Sequence, residues 1–509
     1  MVSQRRAGVV LGYANILTKN LVNLVYTPMM LSFVGQADYG VYQACYSFVF
    51  SLTLLSFGFS GAYLRFYTQR RTHNNDEGIR RLNGVYLVLY SIISCAALLL
   101  GLLFSANAGT IFSAGFSSEQ IAVAQSVIAI LSASIAITLF NSVFDAYVLA
   151  HEEFRFQQTR QLLTTLATPF VAYGLLCFGF GVTGVAFSQL LVNVTLLLLN
   201  ASFSIGRLGM RFDTRHFESK LFKSIAIFST WIFANQVCEL VIQNVPNIML
   251  GALSGAVAVS VFSVSVQIRS VFYSLSVTMS NVFVPKINQI VAASNDNREL
   301  TDLMTRVGRY QAMLYMWVLG GFVLLGRFFM EAWAGKAFLD AYWLVIAMVV
   351  PLFIPLVQNT GVEIQRAKNM HKARSVCYLI MAFLNLIITA LLSSQIGYWA
   401  PVVGYDVYVV LGTGFFMNWY YQNRVGLDMH HFWQSVLPVI AVGSLTTVTS
   451  YIGTCLLPVT SWVSFLVWGA VYTFIYLVLT IVLVFTQDER ATMWRKLHGR
   501  YFTEGKGRR

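Results

Sequence analysis

Three charged side chains interrupt apolar runs of this sequence: Lys19 within Gly8 to Phe33, and Glu239 and Arg269 within two later runs. A lysine or arginine at the middle of a membrane-spanning helix costs roughly 2.5–3.5 kcal/mol on insertion scales, so such residues face a protein interior or a water-filled path. The polar residues Asn235, Gln236, Gln243, Asn244 and Asn247 accompany Glu239, and a helix that met only lipid would not carry them. The chemistry open to this set is anion binding. The planar guanidinium fork of Arg269 suits phosphate or an acidic sugar, while Lys19 supplies a compact point charge.

Glu239 and Arg269 flank a turn centred near Ser254, each about 22 Å from it at roughly 1.5 Å per residue, so they lie at matching depth. Two accounts fit that placement. Either they form a structural ion pair, or Arg269 holds substrate while Glu239 tunes it or binds a coupling cation. Lys19 has no acidic neighbour in its own span or the next; it either lines a cationic chamber with Arg269 or extends towards the cytoplasmic interface.

The elements that position these residues follow from composition. Of 509 residues, 57% are apolar and 11% charged, with a mean hydropathy of +0.65. Soluble globular domains do not have such values. Windows of about 20 apolar residues recur throughout, which predicts helices rather than the short alternating strands of a β-barrel. The windows suggest about fourteen spans, near 8–33, 40–64, 83–105, 121–148, 161–180, 183–205, 224–250, 257–284, 308–330, 341–364, 375–394, 401–421, 433–455 and 461–486.

Of the 34 Lys and Arg residues, all but Lys19, Arg269, Arg327 and Lys336 fall in or at the edges of alternate connecting segments. That bias predicts a multi-pass membrane protein with both termini cytoplasmic. The net charge of +13 therefore reports topology, and no folded basic domain remains to bind nucleic acid. Arg5 and Arg6 precede an apolar stretch as in a signal peptide, but the stretch is too long and lacks a small-residue cleavage site, so a retained first span is expected. Short outer connections leave no room for a large outer domain of a polymerase or sugar transferase. There is no phosphate-binding GxxxxGK loop, Rossmann fingerprint or serine-histidine-acid arrangement, so the chain reads as a transporter, not an enzyme.

The six cysteines are scattered within spans and read as small buried apolar residues. The seven histidines fall in connections or the tail, so no metal site is expected. Pro28, Pro246, Pro351 and Pro355 lie within spans and favour bends. A shift of about 218 residues sets Pro28 on Pro246, which suggests duplication of a six-span unit related by an axis along the membrane normal. The domain reading is an N-terminal six-helix lobe at 1–205, a cytoplasmic linker at 206–223, a C-terminal six-helix lobe at 224–421, two further helices at 422–486 and a basic cytoplasmic tail at 487–509. The fold class is all-α polytopic membrane protein.

An Asn/Lys-rich first helix leads into FVGQADYGVYQACYSFV, and a short basic connection, AHEEFRFQQTRQ, follows the fourth span. In these features and its span count the chain resembles the polysaccharide flippase family of the multidrug/oligosaccharidyl-lipid/polysaccharide exporter superfamily. The resemblance implies two six-helix lobes around a central cavity that alternates access between the membrane faces. It implies polyprenyl-pyrophosphate-linked oligosaccharide and membrane lipid as what the protein handles, with a polysaccharide polymerase and other biosynthesis proteins as partners. No cofactor is implied beyond proton or sodium coupling. Substrate contacts are expected from Lys19 and Arg269, an ion-pair or coupling role from Glu239, and a polar cavity lining from Asn235, Gln243, Asn244 and Asn247. A cation-coupled multidrug exporter and a peptidoglycan-precursor flippase share the plan and remain open.

Overall fold

A computed structural model of the chain describes residues 2–56, 58–214, 233, 236, 237, 240–487, 489 and 490, with the side chains of 2–10 and 13 left aside. Among the described residues every regular element is helical and no strand occurs. The main helices are α1 (Val2–Phe50), α2 (Phe59–Thr72), α3 (Asp76–Ala106), α4 (Ser118–Ala150), α5 (Phe154–Cys177), α6 (Gly181–Ser202), α7 (Val245–Leu253), α8 (Ala256–Asn281), α9 (Val284–Ala293), α10 (Asn297–Ala334), α11 (Leu339–Val357), α12 (Asn359–Ala367), α13 (Lys372–Ile396), α14 (Ala400–Val407), α15 (Met429–Leu456) and α16 (Trp462–Leu479). Among the described residues ten helical stretches are long and apolar enough to cross a membrane, and two of them, Ala14–Thr72 with 59 residues and Lys372–Val425 with 54, are each long enough to cross twice. The chain is an all-α polytopic membrane protein. About half of the window at 224–250, its N-terminal part above all, lies outside the described residues.

Sequence punctuation sets the helix ends. Ser117 and Gln120 form a capping box before α4, and Ser461 with Ser464 does the same before α16, satisfying donors that the first turn leaves open. Within α1 a non-helical conformation at Gly35 (φ 76, ψ 177) breaks the helix in the expected connection between the first two spans, where only glycine avoids strain. The expected second span is not one helix. A tight 3-10 turn at Ser51–Ser56 and left-handed Gly58 (φ 68) divide it. Helical residues 240–243 are interrupted at Asn244, and Pro246 sits in the first turn of α7 that follows, where its missing N–H costs nothing. Pro351 and Pro355 lie within α11, which ends one residue before Gln358 and resumes as α12.

The chain divides into two compact units, residues 1–264 with 382–404, and residues 265–381 with 405–509. The first is knit by small residues and side-chain amides, the contacts that hold helices together where lipid removes the hydrophobic drive. Asn200 donates to Asn141 Oδ1 at 2.8 Å, Asn193 donates to Ser134 Oγ at 2.8 Å, and a Cβ on Gly101 would lie 2.0 Å from Ser132 Oγ. In the second unit Gln311 donates to Ser276 Oγ at 3.1 Å and to Ser280 Oγ at 2.6 Å. The Tyr476 hydroxyl donates to the Met313 carbonyl at 2.7 Å, fixing α16 on α10.

Of the cysteines expected to be buried, Cys45 and Cys377 are, whereas Cys95, Cys177 and Cys455 are exposed. The last three occupy outward positions on apolar helices, which hydropathy cannot distinguish from the core. Cys238 lies outside the described residues. Asp145 pairs with Arg160 and Glu363 with Arg366 at 2.7 Å, so both carboxylates are held at span ends by nearby arginines.

The described part of the expected linker is 206–214; past a π-helical segment, Phe203–Arg207, residues 208–214 are strapped along α3. Asp213 N donates to the Arg80 carbonyl at 3.0 Å, and Asn83 donates to the Arg211 carbonyl at 3.0 Å. A Cβ on Gly84 would lie 1.9 Å from the Asp213 carbonyl oxygen. That oxygen belongs to backbone and cannot swing aside, so Gly84→Ala must displace the strap. The expected cost is roughly 1–3 kcal/mol, read as a lowered thermal midpoint of the purified protein in detergent. An unchanged midpoint would show that the strap is not held by this contact.

Candidate functional site

Lys19 projects from α1 in the first unit, exposed and flanked by exposed Leu17 and Leu21. It makes no hydrogen bond or ion pair among the described residues. One turn earlier, buried Asn15 donates to Gln158 Oε1 at 2.7 Å and to the Gln158 carbonyl at 2.9 Å, anchoring α1 to α5. That anchor fixes the turn from which the ammonium extends. Placed within a stretch apolar enough to cross the membrane, the charge pairs with no acid among the described residues, the situation that favours a water-filled path or an anionic ligand.

The polar residues of the expected seventh span separate into distinct placements. Asn235 and Glu239 lie outside the described residues, so the expected Glu239–Arg269 pairing does too. Gln243 is exposed and Asn244 is partly exposed at the start of α7. Asn247 is buried, donates to Ser47 Oγ at 3.0 Å and accepts from Ser263 Oγ at 3.1 Å. Its carboxamide thus ties α1, α7 and α8 together at both ends.

Arg269 belongs to the second unit and is 5% exposed. Its guanidinium lies over the Tyr405 ring, 4.3 Å from the centroid, and Nη1 is 3.7 Å from Met348 Sδ. The delocalised, weakly hydrated guanidinium suits such a face better than an ammonium would. Tyr405 begins a series of aromatic rings. Its centroid is 6.1 Å from that of Tyr408, Tyr408 is 5.5 Å from Tyr378, and Arg374 lies over Tyr378 at 4.7 Å. A row of three tyrosines from α13, α14 and the following turn therefore runs between two arginines. Tyr408 opens a π-helical segment, Tyr408–Phe416, the kind of local widening that recurs at functional sites.

Sequence reasoning missed two features here. Asp406 follows Tyr405 inside an apolar stretch, its Oδ1 is buried without a hydrogen-bond partner among the described residues, and Arg269 acts on it electrostatically. The run PVVGYDVYVV carried the signal, an acid within a span, by the same rule that exposed Lys19 and Arg269. The tyrosine row left no such trace, because Tyr378 and Tyr405 come from different helices. Chemically, guanidinium forks accept phosphate or carboxylate oxygens, and tyrosine faces with a hydroxyl at the rim can pack against sugar rings.

A family profile described as "Polysaccharide biosynthesis protein" matches residues 29–343. The chain belongs to that family. The expected resemblance therefore holds at the level of the family. The "Uncharacterized membrane protein EpsK" of Bacillus subtilis (strain 168) is 22% identical over 280 residues, 52% of this chain and 53% of that protein, so the match spans about half of the curated relative. Among solved structures, "Lipid II flippase MurJ, inward closed conformation" aligns with a TM-score of 0.75 at 15% identity, covering 93% of this chain and 98% of that one. An inward-facing multidrug resistance MATE family transporter of the MOP superfamily aligns with a TM-score of 0.60 at 16% identity, covering 80% and 94%. At these identities the likeness is one of fold.

The stacking of Arg269 on Tyr405 gives a stability test. Tyr405→Leu removes a buried cation–π contact of about 2 kcal/mol and is expected to lower the thermal midpoint in detergent, whereas Tyr405→Phe retains the ring face and most of the stability. Equal midpoints for the Leu and Phe variants would show that the ring does not hold the guanidinium.

Proposed function

We propose that this protein is an alternating-access flippase that moves polyprenyl-pyrophosphate-linked oligosaccharide across the cytoplasmic membrane for surface polysaccharide synthesis. The observation that carries the reading is a pair of cations within apolar spans, Lys19 exposed on α1 and Arg269 seated on the tyrosine row, in a chain of a polysaccharide biosynthesis family. In this reading the cations neutralise the pyrophosphate or acidic sugars while the polyprenyl tail stays in hydrocarbon. The tyrosines offer faces to the sugars. The two six-helix lobes, cytoplasmic termini and cooperation with a polymerase belong to the same proposal.

Asp406 supports a coupling role alongside Glu239, because a carboxylate oxygen left without a donor inside a span gains from a proton or a sodium ion. The same residue favours the second reading, a cation-coupled multidrug exporter of the superfamily. A peptidoglycan precursor is a further substrate of the same chemical kind, a polyprenyl-pyrophosphate glycan.

In a lipid-linked oligosaccharide transport assay with membrane insertion verified, Lys19→Ala and Arg269→Ala are each expected to lower transport tenfold or more, and Lys19→Arg to retain most of it. Full transport in both alanine variants would remove the cationic site from the mechanism. Drug efflux that depends on Asp406, with glycan transport absent, would select the second reading.

A further inference from the structure

Three connections of the second unit converge on a polar cavity of about 470 Å³. Asn295 follows α9, Asn297 opens α10, Lys368 and Asn369 join α12 to α13, and Val425 closes the turn after Tyr421. The cavity is built around one cation. Lys368 Nζ donates to Asn297 Oδ1 and to the Val425 carbonyl at 3.4 Å. Gly426 (φ 82) makes the arrangement fit, since a Cβ there would lie 2.3 Å from Asn297 Nδ2.

Charge is unbalanced in this cavity. Among the described residues no carboxylate lines it, and Lys368 donates there to two neutral oxygens. Partial burial holds the Lys368 pKa below the ordinary lysine value, the mark of a cation that has lost water without gaining an anion. Carboxamides from Asn295, Asn297 and Asn369 can add N–H donors, while the first turn of α10 is capped by Asp296, whose Oδ1 accepts from Arg298 N at 2.8 Å outside the cavity lining. The space is of ordinary ligand size. The cavity also borders the ends of membrane-crossing stretches. Lys372–Val425 begins four residues past Lys368 and ends at Val425, which sets the cavity at the flank of that stretch, near headgroup level.

We propose that this cavity binds a phosphate-bearing headgroup, with Lys368 as its counter-ion and the asparagines as neutral donors. Two sources share that chemistry, a membrane phospholipid and a polyprenyl pyrophosphate. The site stands whether or not the protein proves to be a flippase, and its test reads binding rather than transport.

Titration of the purified full-length protein in detergent with dihexanoyl phosphatidylglycerol, and separately with inorganic pyrophosphate, decides the matter. At least one probe is expected to bind saturably, at least tenfold more weakly to Lys368→Gln, and with near-normal affinity to Lys368→Arg. Lys286→Gln, which alters a lysine 54% exposed and paired with Glu299 at 3.5 Å, is expected to leave binding unchanged. Binding of phosphatidylglycerol alone supports the site with a resident lipid as its source; binding of pyrophosphate supports it with the diphosphate of a polyprenyl carrier. Absence of saturable binding by either probe, or equal binding by wild type and Lys368→Gln, overturns the proposal.

Discussion

The cost of an uncompensated charge in hydrocarbon governs this structure. A span can carry a cation only if protein, water or a ligand replaces the lost hydration, and Arg269, Lys368 and Lys19 meet that demand differently. Arg269 is almost fully buried and takes an aromatic face. Lys368 stands at the end of a span and is met by neutral oxygens. Lys19 is exposed on its helix, without a described partner. A neutral side chain at any of these places would cost less, so the charge itself needs a use. Binding of an anionic headgroup provides one that a purely structural role does not.

The same constraint explains why the packing relies on polar glue and close approach. Between lipid-embedded helices the hydrophobic effect contributes little, so amide pairs such as Asn141–Asn200 and the Asn247 bridge fix neighbours by hydrogen bonds. Glycine is used where backbone meets backbone, as at Gly84 against Asp213. These contacts specify which helix lies beside which. They also leave few side chains free for ligands, so the remaining exposed or unpartnered polar groups carry more functional weight.

Much of the fold was legible because bilayer thickness converts directly into sequence length. About 20 apolar residues per crossing located the spans, and Gly35 fell in the connection that the first two windows implied. Hydropathy could not say which face of a span meets protein, so Cys95, Cys177 and Cys455 were read as buried although they are exposed. Nor could it show the tight turn at Ser51–Ser56 and the left-handed Gly58, which override an apolar run. Of the candidate site, single charges stood out against an apolar background, which is why Lys19 and Arg269 were found. The Tyr405–Tyr408–Tyr378 row was not, because aromatic residues are ordinary in spans and their alignment depends on two helices meeting. Asp406 was visible by the rule that found Arg269.

The most direct test of the central claim is the location of lipid-linked oligosaccharide in cells that lack this protein. A flippase for that substrate predicts loss of the surface polysaccharide, with its lipid-linked repeat unit accumulating on the inner leaflet of the cytoplasmic membrane. Normal surface polysaccharide with no such accumulation, accompanied by hypersensitivity to cationic drugs, would contradict the account.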